Sequence, residues 1–188
     1  MEQQSASLVD KCLIATPAIK DPIFASSLVY MCEHSANGSM GLVVNHETTQ
    51  TLKDVFHQLE IACDDRLIYD QPVYIGGPVQ LEQGFVLHAQ AGNWDNCVEI
   101  ASGIHLTSSL DILQAIGAGK GPQDYLVILG FSGWSSGQLE AELQQNSWLT
   151  STCNADLLFH QKPEDKWQIA FDSLGFDINM LSPVSGNA

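Results

Sequence analysis

Leu52, Val55, Phe56 and Leu59 recur at the spacing of one helical face, with Lys53, Asp54 and His57 on the other side. They predict a helix over about Thr51 to Glu60. Leu110, Leu113 and Ile116 repeat the pattern from about Ser109 to Ala118, with Ser108 as its cap and all three apolar side chains directed inward. A last helix opens at Pro163, carries Glu164 and Asp165 in its first turn, sets Trp167, Ala170, Phe171 and Leu174 on one face and stops at Gly175.

Shorter apolar runs between punctuating residues predict strands. Lys11 to Thr16 is stopped by Pro17, and Asp21-Pro22 forces an extended or turning backbone beyond it. Ser27 to His34 and Met40 to Asn45 follow, joined by Ser35-Ala36-Asn37-Gly38, whose residues tolerate positive φ, so the two form a hairpin. Pro72 to Gly76, Gly84 to Ala89 and Cys97 to Ala101 are further strands. The unbroken run Leu126-Val127-Ile128-Leu129 within Asp124 to Phe131 suits a central strand covered on both faces. It passes through Gly130-Phe131-Ser132-Gly133-Trp134, a glycine-rich turn, into a helix opened by Ser135 and Gln138 at capping-box spacing, with Leu139 and Leu143 on its buried side.

No internal repeat, low-complexity segment or linker divides the chain. One domain over residues 1–188 is expected, with about 1–8 and 180–188 as flexible ends. Hydrophobic residues make up 45% of the 188 and charged ones only 15%, which suits a filled core and argues against disorder.

Seven Lys and Arg against 22 Asp and Glu leave a net charge of −15, a field that repels phosphate backbones. No direct contact with nucleic acid is expected, and a cationic partner is easier to accommodate. The cysteines (Cys12, Cys32, Cys63, Cys97, Cys153) are widely and irregularly spaced with no Cys-x-x-Cys, so reduced thiols and no metal are expected. The opening residues lack the basic region and apolar run of a signal peptide, and no later run is long enough to span a bilayer. The expectation is a cytoplasmic protein without membrane contact, a monomer or weak dimer.

The chemical candidates narrow by comparison with motifs. Gly130-Phe131-Ser132-Gly133-Trp134 lacks the glycine that a hydrolase nucleophile elbow needs two places after its serine, since Trp134 stands there. Gly117-Ala118-Gly119-Lys120-Gly121 resembles a phosphate loop, but it follows a helix and has Ala115 where the first glycine belongs. Glu33 and His34 close one strand and His88 another. Alternation puts Cys32 and His34 on one face and Glu33 on the other. Glu33, His34, His88 and Trp134 are taken to converge on one rim. His34, His88 and Glu33 have the residue types of a two-His, one-carboxylate metal site but not its local spacing, so no metal and no cofactor are assigned. Asn45, His88, Gly133, Trp134, Gln138 and Glu140 are the candidate ligand-binding residues, and Glu33 and His34 the candidate catalytic ones.

Leu13-Ile14-Ala15-Thr16-Pro17 with Asp21-Pro22, and Cys32-Glu33-His34 leading to Gly41-Leu42-Val43-Val44-Asn45, resemble the opening blocks of the AlgH/YqgE family of small bacterial proteins. Gly76-Gly77-Pro78-Val79 with Gly84-Phe85-Val86-Leu87-His88 resembles its middle block, and Leu129 to Trp134 through Gln138-Leu139-Glu140 its most distinctive one. The resemblance implies an α/β, α+β-like fold: a mixed, largely antiparallel sheet that curls toward a pseudo-barrel, with helices outside. It implies no established activity, although members are often labelled transcriptional regulators. Thr16 stands where the family usually has Met, and Gln83 where it usually has Arg. Two functions are carried forward. The first is a non-enzymatic regulator or adaptor that binds a small molecule or a protein partner. The alternative is a hydrolase or transferase using Glu33 and His34 as acid and base, helped by backbone donors near Gly133.

Overall fold

A computed structural model describes residues 7–101 and 103–175. Apart from residues 7 and 8, the ends expected to be flexible lie outside these. Within them Leu8 is half-buried against the apolar cluster of the first strands.

In chain order the strands are β1 (Lys11–Ala15), β2 (Leu28–Ser35), β3 (Gly38–Val43), β4 (Glu47–Thr51), β5 (Pro72–Ile75), β6 (Val79–His88), β7 (Cys97–Ala101), β8 (Ile104–Thr107), β9 (Tyr125–Ser135) and β10 (Trp148–Thr152). The helices are α1 (Leu52–Gln58), α2 (Arg66–Tyr69), α3 (Leu110–Gly117), α4 (Gln138–Gln144) and α5 (Pro163–Asp172), with a π-helical turn at Asp156–His160. The sheet runs β10-β1-β2-β3-β9-β6-β8-β7, with β5 parallel to β9 and β4 on the outer side of β5. It is mixed, largely antiparallel and strongly curled, as the resemblance implied.

The curl gives every central strand two buried faces, which is why their sequences are apolar without interruption. On the concave side Ile14, Tyr30, Leu42, Ile128 and Leu87 form one core closed by α5 and the π-helical turn. On the convex side their neighbours divide: Val73, Val86 and Val127 lie under α1 and α3, whereas Leu13, Val29, Val43 and Trp134 lie under α4. Leu110, expected inward, is 46% exposed, because α3 begins there and turns only Ile112, Leu113 and Ile116 to the sheet. The cap of α3 is Ser109, not Ser108.

The glycine-rich run is strand, not turn. β9 continues to Ser135, and the chain reverses at Ser136-Gly137, where Gly137 adopts φ +74° as the cap of α4. Gln138 still reaches back, its Oε1 accepting from the Ser135 backbone N–H at 3.0 Å. Gly130, at φ +68°, marks where β6 loses register with β9 between Val79 and Gly84.

The thiols differ from expectation. Pairing of β1 with β10 brings Cys12 and Cys153 to a Cα separation of 5.5 Å, and they form a disulfide across 141 residues of sequence. Cys32 and Cys63 are free and buried, and Cys97 is free and half-buried. No helix among the described residues is long and apolar enough to cross a membrane.

Candidate functional site

One row of residues runs across the tip of the sheet: His34 on β2 faces Ser39 on β3, which faces Trp134 on β9. Directly opposed residues of antiparallel strands share a face, so all three point to the side covered by α4. His34 Nδ1 lies 2.9 Å from Ser39 Oγ, and its Nε2 lies 3.6 Å from Glu140 Oε1 of α4. Only 6% of the His34 side chain is exposed, against 35% for Glu140.

The expected alternation fails at Cys32. A β-bulge there, between the pairs Met31–Gly41 and Glu33–Met40, inserts one residue, so Cys32 joins the concave core while His34 faces the opposite side. Glu33 takes the Met40 side and is exposed. The acidic group beside the imidazole is therefore Glu140, and the Glu33–His34 acid–base pair is not assembled. Burial, with the nearby Glu33 charge, pushes the Cys32 thiol far above its usual range and keeps it protonated.

Trp134 is buried and held. Its indole N–H donates to Glu142 Oε2 at 2.9 Å, and Trp148 donates to the same oxygen at 2.8 Å from a ring packed edge-on 6.0 Å away. Gln138 Nε2 donates to the other oxygen, Glu142 Oε1, at 2.9 Å. Glu142 is thus the residue that organises this corner. The sequence reading missed it, because only its place one helical turn after Gln138 hinted at a contact. Replacing Glu142 by alanine leaves two part-buried indole donors without an acceptor. It is expected to lower the unfolding free energy by about 2 kcal/mol and to change tryptophan fluorescence, measured by urea titration. An unchanged midpoint would show that water replaces the carboxylate at no cost.

The other candidates lie elsewhere. Gly133 is exposed on β9 and sits in the ladder opposite Met40, so its backbone forms no free cradle. Asn45 brackets the loop before β2, its Oδ1 accepting from Leu28 N–H at 2.7 Å and its Nδ2 donating to the Ser26 carbonyl at 2.9 Å. His88 pairs with Tyr125 at the start of β9, whereas Trp134 is near its end. The steps between correspond to about 30 Å of strand, so the common rim expected for Glu33, His34, His88 and Trp134 is not formed.

His88 is fully buried between two acceptor and donor partners: Nδ1–H donates to the Gln90 carbonyl at 2.7 Å, and Nε2 accepts from Thr107 Oγ1 at 2.9 Å. His105 stacks on it at 5.5 Å, with its own buried Nδ1 unpartnered. Burial, with the facing His105 ring, holds the His88 pKa below its usual value, so the ring stays neutral. Among the described residues no group of three or more His, Cys, Asp or Glu is gathered as metal ligands would be. Ser132 is equally committed, its buried hydroxyl donating to the Gly76 carbonyl at 2.8 Å.

Two hollows lie against the helices α1, α2 and α3. A groove of about 700 Å³ lies between α1, α3 and the irregular part of β6, with Val127 and Leu129 as its floor. Its sides carry Leu59, Leu81 and Leu110, which are 41%, 50% and 46% exposed. A second hollow of about 360 Å³ lies between α2 and the segment from Gly119 to Tyr125.

This architecture, a curled sheet with helices on both of its sides and a hydrogen-bonded corner at its tip, is that of a small α/β protein class. Residues 12–179 match the AlgH-like family (DUF179), and the chain belongs to that family. It is 46% identical over 181 residues to a UPF0301 protein of Xanthomonas campestris pv. campestris, covering 96% of each chain. It is 44% identical over 184 residues to a UPF0301 protein of Dechloromonas aromatica, covering 98% of this chain and 99% of the relative. The solution structure of the AlgH protein from Pseudomonas aeruginosa superimposes over the whole of both chains with a TM-score of 0.80 at 38% identity. A protein from Corynebacterium diphtheriae, at 18% identity and a TM-score of 0.73 over 97% of this chain and 94% of its own, shares the fold. Thr16 is buried and donates from Oγ1 to the Asn146 carbonyl at 2.8 Å. Gln83 is exposed on β6.

Proposed function

We propose that this protein is an adaptor or regulator that docks a basic, amphipathic helix of a protein partner in the groove between α1, α3 and β6. The observation that carries the proposal is the exposure of Leu59, Leu81 and Leu110 around one hollow of about 700 Å³. Leucines from the end of α1, from β6 and from α3 around one hollow suit an apolar helix face. Charge selects the partner: Glu82 lines the groove, Asp54, Glu60 and Asp111 adjoin its apolar residues in sequence, and the whole chain carries −15. The same field sets the protein against direct contact with DNA.

A synthetic Lys/Leu amphipathic peptide, labelled for fluorescence anisotropy, tests the proposal against an acidic peptide of the same apolar pattern and a DNA duplex. Only the basic peptide is expected to bind at about 150 mM salt. The double variant Leu59→Ser, Leu110→Ser is expected to weaken it at least about tenfold, since two anchors are lost without a change in charge. Equal binding by the variant means that charge alone attracts the peptide and overturns the groove.

A further inference from the structure

The tip of the sheet holds a second site, separate from the groove. We propose that Ser39 is a nucleophile with His34 as its general base and Glu140 as the residue that positions the imidazole, and that the site takes small, uncharged esters. Ser39 Oγ is 2.9 Å from His34 Nδ1, within reach for proton transfer, and Glu140 stands 3.6 Å from Nε2 on the far side of the ring. Glu140 favours the tautomer with its proton on Nε2, which leaves Nδ1 free to accept the serine proton. The order of the nitrogens is the reverse of the usual Ser-His-acid relay, but the roles are the same.

The sequence folds so that this geometry is fixed before any substrate arrives. His34 and Ser39 are opposed across a two-residue turn, and the bulge at Cys32 aims His34 at the α4 side. Ser136 Oγ donates to the Ala36 carbonyl at 2.6 Å, tying that turn to the one that starts α4 and so fixing Glu140 relative to His34. His34 is nearly sealed and Ser39 half-buried, so only a small group reaches the hydroxyl. Glu140 and Glu142 of α4, with a net charge of −15, repel anions and leave uncharged acyl compounds as the fitting class.

In the reaction, the Ser39 oxygen bonds to the ester carbonyl carbon and its proton passes to His34 Nδ1. The carbon–alkoxy bond then breaks, and the leaving alkoxide takes the proton from Nδ1 and departs as the alcohol. Water, deprotonated by the same nitrogen, attacks the acyl-serine, the acyl–Oγ bond breaks, and the Ser39 oxygen takes the proton back from Nδ1. The products are a carboxylic acid and free Ser39, so ester and water are consumed in equal amounts.

The test uses the full chain and p-nitrophenyl acetate, with intact mass and peptide mapping of the quenched protein. A single acetyl group on Ser39 is expected. His34→Ala is expected to slow its appearance about a hundredfold, and Glu140→Gln about tenfold. Glu140→Asp should restore most of the rate, which a merely structural carboxylate would not require, and circular dichroism checks that each variant folds. If Ser39→Ala does not fold, Ser39→Cys keeps the test open, with the acetyl group then found as a thioester at that position. Acetylation of lysines alone, or a Ser39 rate unmoved by His34→Ala, overturns the proposal.

Discussion

Gly77→Ala is expected to lower the unfolding free energy by about 4 kcal/mol or more, enough to leave little folded protein. The argument begins with the backbone, since Gly77 adopts φ +149°, a conformation that L side chains rarely adopt. A methyl group there falls 2.5 Å from the Ser132 nitrogen and also runs into the Phe131 carbonyl, both backbone atoms of β9. Neither side can yield. Gly76 donates to the Leu129 carbonyl at 2.8 Å, and its own carbonyl accepts from Val43 N–H at 3.0 Å and Ser132 Oγ at 2.8 Å. The crossing of the β5–β6 link over β9 therefore joins β3, β5 and β9 at one point. Gly119→Ala is the control: φ is +69°, but nothing lies within 4 Å of the added carbon, so only about 1 kcal/mol of backbone strain is expected. Urea unfolding of both variants measures the contrast, and a Gly77→Ala midpoint close to that of Gly119→Ala would refute the account.

Gly76, Gly77 and Gly130 also show where the sequence was ambiguous. Glycine permits both a turn and a close approach of two backbones, and the run from Gly130 to Trp134 was read as the former when it is the latter. Elements with a strong period or clear punctuation were legible: α1, α3, α5, the β2–β3 hairpin and the central position of β9. β4, β8 and β10 were not, because Glu47–Thr51 and Trp148–Thr152 are largely polar and Ile104–Thr107 is only four residues long.

The site was legible in part for the same reason. His34, Trp134, Gln138 and Glu140 do gather at one tip, since a hairpin end and a strand–helix junction are local features. The extra residue at Cys32, the Cys12–Cys153 bond and the distance from His34 to His88 depend on register and strand order, which no local pattern encodes. Ser39 escaped notice because an isolated serine on a strand has no motif, although its place opposite His34 follows once the two-residue turn is fixed.

Lys166 provides the second large effect, one that depends on pH. Its side chain is 1% exposed, and Nζ donates to the Val44 carbonyl at 2.9 Å and the Leu158 carbonyl at 2.7 Å while lying 5.5 Å from the centre of the Tyr74 ring. Burial lowers its pKa from 10.5 to about 8, against the opposing pull of Glu47. Below about pH 8 the folded and unfolded chains both hold the proton. Between about 8 and 10.5 the unfolded chain keeps it and the folded chain has released it, so this lysine makes stability rise with pH over that window. The drop corresponds to about 3 kcal/mol. Cys32, Tyr30, Tyr74 and Tyr125 act in the opposite sense, because burial raises each of them and the folded chain keeps protons that the unfolded chain loses. Lys166→Met retains those four groups and most of the volume, so subtracting its unfolding free energy from that of the wild type isolates the ammonium. The difference is expected to grow in favour of the wild type by about 3 kcal/mol between about pH 7 and pH 10.5, because Met neither bears the buried charge at neutral pH nor donates to the two carbonyls at high pH. Two curves that stay parallel across the window would mean that Lys166 keeps its proton at high pH, with the carbonyl pair and the Tyr74 face offsetting the loss of water in full.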